Sequence, residues 1–198
     1  MKYMRFWIAL VAILGVAGFF AVRPPGEREP AVTAASDDAA IRLEVDLSQR
    51  VLSVVQGGEV VETFPVAIGK PSYPTPKGNY SIRRIIWNPR WVPPDSKWAA
   101  KKKPTPPGHP DNPMGKVKIF FSEPDYYIHG TKLVDSLGEA ESHGCLRMRN
   151  ADVIALAERL MDAGGKPVSP GWIRSVINRV RSTKEVRLSN PVGISIKG

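Results

Sequence analysis

The sequence is poor in cysteine and histidine: its 198 residues contain one cysteine, Cys145, and three histidines. A single cysteine cannot form an internal disulfide, so its thiol is either free and reactive or bonded to another chain. Burial as an inert apolar side chain is the alternative, because free cysteines are usually buried. The glycine and histidine neighbours of Cys145 are poor core residues, which favours a reactive thiol.

Acidic residues are also scarce relative to basic ones, 19 against 28, and the formal net charge is +9. This excess favours anionic partners such as nucleic acid, anionic lipid or an anionic wall polymer. The basic residues are scattered apart from Lys101, Lys102 and Lys103, and the sequence carries no nucleic-acid-binding motif. Nucleic acid is therefore not an expected partner.

Charged residues are missing from one long N-terminal run, Phe6 to Val22, which follows Lys2 and Arg5. A basic start followed by an apolar stretch is typical of an export signal, and the run reaches the lower end of the ~17–25 residues that span a bilayer. We expect residues 1–22 to be a membrane anchor or a cleaved signal. The remainder is expected on the periplasmic side of the cytoplasmic membrane, where a lone thiol without a function is a hazard.

Periodicity divides the rest of the chain into a linker, residues 23–40, and one folded domain, residues 41–198. Alternating apolar residues from Ile41 predict a first strand, and Gly57-Gly58 predicts a hairpin turn. Residues 75–78 have the composition of a β-turn. The other predicted strands are Val51–Val55, Glu59–Ile68, Tyr80–Trp87, Val117–Phe121, Tyr126–His129, Glu185–Leu188 and Val192–Ile196.

One or two helices and a long loop complete the predicted domain, whose class is mainly β with an α+β character. Asn150 is a candidate N-cap for a helix that ends at Gly164-Gly165, and a second helix is predicted over Trp172–Val180. The first helix carries an apolar stripe of helical period at Val153, Leu156, Ala157 and Leu160. Residues 88–113 have no apolar period, and loops of this length are typically functional lids or disordered. Two tryptophans in the loop argue against disorder.

Two short motifs combine a thiol with imidazole groups: Ile128-His129-Gly130-Thr131 and Ser142-His143-Gly144-Cys145-Leu146-Arg147. A thiol is a weak nucleophile until it is deprotonated, and a neighbouring imidazole can accept the proton. Glycines let a substrate backbone approach and free amide N–H groups to bind an oxyanion. Arg147 can bind a carboxylate bidentately, or it can pair with Glu141 or Asp152. Spacing alone does not decide which histidine is the base.

These motifs resemble the signature of the L,D-transpeptidase catalytic domain family, the YkuD fold. The pattern is His-Gly-Thr, a dozen or so residues, then Ser-His-Gly-Cys-aliphatic-Arg. The likeness extends over roughly Ile41 to Asp162, with the closing strand around Val192, and implies a β-sandwich-like catalytic domain. Further matching pieces are Val45-Asp46-Leu47, Gly57-Gly58, Gly69-Lys70, Thr75-Pro76-Lys77-Gly78 and Asn112-Pro113-Met114-Gly115.

The resemblance implies acyl transfer on peptidoglycan stem peptides, giving 3→3 cross-links through a cysteine acyl-thioester, without a metal or cofactor. It makes Cys145 the nucleophile and His129 the base, with the Gly130 carbonyl orienting the imidazole. The N–H groups of Gly144 and Cys145 would form the oxyanion hole. Carbapenem β-lactams are expected as covalent inhibitors. The residues expected to bind substrate are Ser142, His143, Arg147 and Thr131.

Two other functions fit the same sequence. The first is hydrolysis by the same site, as an L,D-carboxypeptidase or an enzyme that detaches a wall-bound protein. It differs only in water replacing the acceptor amine. The second is a non-catalytic wall-binding module on a membrane tether, which would not need the His-Cys pair. The intact motif argues against that module.

Overall fold

Residues 40–198 are described by a computed structural model, and the predicted membrane segment and almost all of the predicted linker lie outside this range. No helix within residues 40–198 is long and apolar enough to cross a membrane. This part of the chain is mainly β with two α-helices, as the sequence predicts. The ten strands are β1 (Ile41–Asp46), β2 (Val51–Gln56), β3 (Glu59–Pro65), β4 (Ile68–Gly69), β5 (Gly78–Trp87), β6 (Val117–Ser122), β7 (Tyr126–Thr131), β8 (Ala140–Ser142), β9 (Leu146–Arg149) and β10 (Lys184–Lys197).

Eight strands form one sheet in the order β3-β2-β1-β10-β5-β6-β7-β9, and β4 pairs with β8 in a separate parallel ladder. Within the large sheet, the β1–β10 and β7–β9 pairs are parallel and the others are antiparallel. Gly57 and Gly58 close the β2–β3 hairpin with φ of 59° and 83°, a region that glycine adopts without a Cβ clash. The predicted hairpin is therefore confirmed.

The helices are α1 (Asn150–Ala163) and α2 (Pro170–Asn178). The predicted apolar stripe of α1 is buried against the sheet and belongs to the main core, and each such side chain contributes about 1.5–3 kcal/mol when fully buried. Gly164 ends the helix, its N–H bonded to the Leu160 carbonyl at 2.8 Å. α2 begins after Ser169, whose hydroxyl accepts from the Trp172 N–H at 3.2 Å, a regular N-cap.

The predicted turn at residues 75–78 was wrong. The chain turns earlier, where the Tyr73 N–H donates to the Lys70 carbonyl at 2.8 Å. Thr75 is instead buried, and its hydroxyl accepts from the Gly69 N–H at 2.9 Å. The threonine therefore connects the segment to β4 through a side-chain hydrogen bond six residues back along the chain, which local turn composition does not reveal.

The predicted N-cap role of Asn150 was also wrong. α1 has Arg149 in the capping position, with no side-chain cap bond. The Asn150 amide instead bridges two other segments: it accepts from the Lys116 N–H at 2.9 Å and donates to the Thr131 carbonyl at 3.1 Å. The two predicted closing strands are one strand, β10, whose pairing with β5 shifts between Arg187 and Val192.

Candidate active site

Cys145 lies in the short connection between β8 and β9, at the edge of a cleft. Buried Ser142 fixes this connection, since its hydroxyl donates to the Cys145 carbonyl at 2.6 Å and accepts from the Gly144 N–H at 3.1 Å. Gly144 has φ of 103°, and a Cβ there would lie 2.7 Å from Cε1 of Tyr126. The sequence pattern Ser-His-Gly-Cys thus forms a tight loop that presents a partly buried thiol.

The Gly144 N–H, expected to be an oxyanion donor, already has an intramolecular acceptor in the Ser142 hydroxyl. Binding an oxyanion there requires this 3.1 Å bond to be shared or released. The Cys145 N–H is therefore the better placed of the two expected donors.

His129 lies in β7 with only 4% of its surface exposed. Its Nδ1 lies 2.8 Å from the Gly130 carbonyl oxygen. Because a carbonyl can only accept, Nδ1 carries the proton in this pair and Nε2 is left with its lone pair. The backbone of the next residue therefore fixes the tautomer that a proton acceptor needs.

Gly130 is enclosed by the Asn150 side chain. A Cβ at Gly130 would lie 2.3 Å from Asn150 Oδ1, and a Cβ at Gly115 would lie 2.4 Å from the same atom. The amide bridge from Asn150 to Lys116 and Thr131 passes through this space. Two glycines and one asparagine thus position the strand that carries the imidazole.

Parallel pairing of β7 with β9 brings the two motifs together. His129 is the register partner of Arg147, and Ile128 is the partner of Leu146. The thiol, the imidazole and the Arg147 guanidinium all line one cleft of about 850 Å³. Thr131 does not line it, because this residue is buried and its hydroxyl accepts from the Leu133 N–H at 3.0 Å.

His143 lies on the other side of the cleft, under the long loop. Its ring stacks on Trp98 with centroids 3.9 Å apart and an interplanar angle of 18°, and lies 4.9 Å from the Tyr73 ring. Trp98 belongs to residues 88–113, so the loop contacts the nucleophile motif directly. Part of the long loop therefore lines the cleft, and within it Trp91 and Thr105 exchange backbone hydrogen bonds of 2.9 Å.

Burial dominates the electrostatics of the pair. It raises the pKa of Cys145 to about 11, against hydrogen bonds from the Tyr127 N–H and hydroxyl and the charges of Lys118 and Arg147. It lowers the pKa of His129 to about 3, with the Arg147 and Lys118 charges acting in the same direction and the hydrogen bonds to the Gly130 and Pro113 backbone opposing them. Burial therefore favours the neutral form of both groups, and the thiol donates weakly to the Asp125 carbonyl at 3.4 Å.

Sequence reasoning missed two residues of the cleft, Lys118 and Tyr127. Tyr127 directly precedes the first motif and Lys118 lies in the preceding strand, but an isolated lysine and tyrosine in predicted strands carry no signal of their own. The signal lies in pairing: β6 and β7 form a hairpin in which Lys118 faces His129. A register assigned to that hairpin from the short turn between the strands would have identified Lys118.

A thiol and a backbone-oriented imidazole in one covered cleft define a thiol–imidazole site on a mainly β scaffold. The family model of the YkuD L,D-transpeptidase catalytic domain matches residues 40–177. The chain belongs to this family.

Two curated relatives and one solved structure illustrate the similarity. The YkuD protein of Bacillus licheniformis is 31% identical over 146 residues, covering 74% of this chain and 72% of that protein. The YkuD protein of Bacillus subtilis is 30% identical over 137 residues, covering 69% of this chain and 65% of that protein. The catalytic domain of the E. faecium L,D-transpeptidase superposes with a TM-score of 0.51 at 15% identity, covering 79% of this chain and 96% of that domain. This last likeness concerns the fold alone.

Proposed function

We propose that this protein is an L,D-transpeptidase that forms 3→3 peptidoglycan cross-links through an acyl-thioester on Cys145. The observation that carries the proposal is the hydrogen bond between His129 Nδ1 and the Gly130 carbonyl, 2.8 Å long, beside a thiol in the same cleft. It leaves Nε2 as the acceptor for the thiol proton. A backbone carbonyl thus takes the part that a carboxylate has in a Ser-His-Asp triad.

In the first half-reaction, His129 accepts the Cys145 proton and the sulphur attacks the carbonyl between the third and fourth stem residues. The Cys145 N–H stabilises the oxyanion of the tetrahedral intermediate. The C–N bond then breaks, the His129 proton passes to the departing D-alanine amine, and a thioester remains.

In the second half-reaction, an amine of another stem peptide attacks the thioester, loses its proton to His129, and releases the thiol as the new amide forms. Water would complete the same reaction as a hydrolysis. The loop of residues 88–113 contacts residues 142–145 through the stack of Trp98 on His143. Such a contact limits the access of water to the thioester, which supports transfer over hydrolysis.

Mass spectrometry of purified muropeptides after incubation with the enzyme tests this function. Transfer predicts a dimer lighter than two tetrapeptide donors by one D-alanine, and Cys145→Ala should yield none. A product equal to the donor minus D-alanine plus water, with no dimer, would identify the enzyme as a carboxypeptidase. Unchanged donors in the presence of correctly folded protein would reject both reactions.

We further propose that carbapenem β-lactams acylate Cys145. Opening the ring leaves the amine tethered to the acyl group, so it cannot diffuse away, and the ring carboxylate meets Arg147. Intact-protein mass spectrometry should show one adduct per chain, formed more slowly in Arg147→Ala. An absent adduct, with the thiol still reactive to iodoacetamide, would contradict this pocket.

For the location, we propose that residues 6–22 tether the catalytic domain to the periplasmic face of the cytoplasmic membrane. The support is the basic start and the uncharged run of the sequence. Membrane fractionation with N-terminal sequencing of the mature protein tests it. A soluble species that begins at Gly18 would show a cleaved signal instead.

A further inference from the structure

A row of three side chains crosses the sheet at the base of the cleft. In the β6–β7 ladder Lys118 is the register partner of His129, and in the β7–β9 ladder Arg147 is the partner of His129. Directly paired residues of neighbouring strands place their side chains on the same face of a sheet. The buried imidazole therefore stands between two cations, and all three groups line the cleft.

Neither cation has a carboxylate partner among residues 40–198. The ion pairs among these residues include neither Lys118 nor Arg147. Glu123, the acidic residue nearest to Lys118 in sequence, pairs with Arg84 at 2.7 Å. The alternative pairing of Arg147 with Glu141 or Asp152 is not formed. Two half-buried positive charges thus face the cleft without a directly bonded carboxylate, since Glu141 acts on Arg147 only through its charge, and such charges are costly to bury unless a ligand binds them.

The Lys118 ammonium is held in place by aromatic rings. Its Nζ lies 3.7 Å from the ring centroid of Tyr127 and 4.6 Å from that of Phe120. Such contacts fix a cation by the ring quadrupole while leaving its hydrogen-bond donors free. The lysine is therefore directed towards the cleft, where Tyr127 also contacts Cys145.

The charges around this row are predominantly positive. His129 is faced by Lys118 from β6 and Arg147 from β9, and both disfavour the imidazolium form. Lys118 is faced by Cys145, by Arg84 from β5 and by the Asp125 and Glu123 carboxylates, and burial lowers its pKa to about 8. Arg147 is faced by Cys145 and by the Glu141 carboxylate. The surroundings of His129 therefore favour an anionic group in this part of the cleft.

We propose that Lys118 is a specificity residue that, together with Arg147, binds a carboxylate of the donor substrate beside His129. The inference rests on the proposed function and deepens it. The carboxylate of the departing terminal residue is the anion closest to the scissile bond. This carboxylate pairs with Lys118 and Arg147 while the donor is bound. It leaves the cleft with the departing residue.

Alkylation of Cys145 by iodoacetate and iodoacetamide tests the site, because the two reagents share a leaving group and differ in a carboxylate against a carboxamide. The measured quantity is the ratio of their second-order rates, normalised to the same ratio for free cysteine. A change in thiol pKa affects both reagents alike and cancels in the ratio. The wild-type ratio should exceed one.

In Lys118→Met the normalised ratio should fall about tenfold, the strength of one charge-assisted hydrogen bond, while Lys118→Arg should keep at least half of the wild-type ratio. Lys166→Met, the same change at an exposed lysine outside the cleft, should leave it unchanged. A ratio that is equal in wild type and Lys118→Met, or that falls as far in Lys166→Met, would overturn the proposal. Since alkylation requires no cross-linking, a lost transpeptidase activity with the predicted ratios would overturn the proposed function alone.

Discussion

The two sides of the cleft are built in different ways. On the sheet side, backbone ladders fix Lys118, His129 and Arg147 in register, and the imidazole is almost fully buried. On the loop side, His143 lies in the connection just after β8, outside any ladder, and stacks on Trp98 and contacts Tyr73. Ladder hydrogen bonds are cooperative, whereas a stacked pair contributes about 0.5–1.5 kcal/mol. We infer that the sheet side sets the chemistry and the loop side sets access.

The largest expected effect is at the point where the two sides meet. Cys145→Ser should lower transpeptidation by roughly 10³-fold or more, since a hydroxyl is much harder to deprotonate than a thiol. The melting temperature should stay near that of the wild type, because the side chains are similar in size. Near-normal cross-linking by the folded variant would remove Cys145 from the reaction.

Next in size is a direct comparison of the two histidines. His129→Ala should lower activity by roughly 10²–10⁴-fold, the usual range for a general base, and His143→Ala by no more than about tenfold, the strength of a stacking contact. Rates of product formation and of thiol alkylation against pH measure both. If His143→Ala proved the more damaging and alone shifted the alkylation profile, the two roles would be reversed.

A third test addresses the rigidity of the sheet side. Gly130→Ala places a methyl group 2.3 Å from Asn150 Oδ1, and such overpacking costs about 1–3 kcal/mol of unfolding free energy. The matched control is Gly193→Ala in β10, where an added Cβ meets nothing within 4 Å. Denaturant unfolding of both variants checks this. Equal free energies of unfolding would mean that the Asn150 side chain moves aside without a measurable cost.

The burial of His129 should also make the stability of the protein depend on pH. His129 has a pKa lowered to about 3 in the fold, so between pH 6.5 and 3 the unfolded chain binds a proton that the folded chain does not. Its contribution to stability is present above pH 6.5 and falls by about 1.4 kcal/mol per pH unit within this window. His129→Gln should therefore lose stability less steeply between pH 6 and 4, as measured by urea unfolding. Parallel curves would contradict the buried neutral imidazole.

The smallest effect is expected on the loop side. Trp98→Ala removes the stack on His143 and should raise the share of thioester lost to water by about 3- to 10-fold, within the energy of one aromatic contact. Lys101→Ala, in the same loop but exposed and outside the cleft, is the control. Product ratios from muropeptide digests measure the effect, and an unchanged ratio in Trp98→Ala would show that the loop does not exclude water.

The sequence predicts the strands and helices well because each buried face repeats with a clear period. Leu43 and Val45 alternate with more exposed neighbours, and Leu156 and Leu160 lie on one helical face. The predictions failed where a side chain bonds outside the local turn or helix cap that its sequence neighbours suggest. Thr75 and Asn150 resemble local turn and cap residues, but their hydrogen bonds reach β4 and the segment before β6.

The candidate site divides in the same way. Cys145 and His129 stand out because a thiol and an imidazole are rare and flanked by glycines, and both line the cleft. Lys118 and Tyr127 do not stand out, since their place in the cleft follows from the register of β6 and β7. The very short strands β8 and β9 were missed because three or four residues are too few to show alternation. The two strands lie on either side of the loop that contains Gly144.

The position of β10 has a consequence for the order of folding. This last strand lies between β1 and β5 and pairs Arg42 with Gly193, so it joins the two halves of the sheet across nearly the whole domain. Contacts this distant in sequence form slowly. The hairpins on either side can pair early, but each keeps an open edge until residues 184–197 arrive. A chain interrupted before Lys184 would expose both edges to other chains, which favours aggregation.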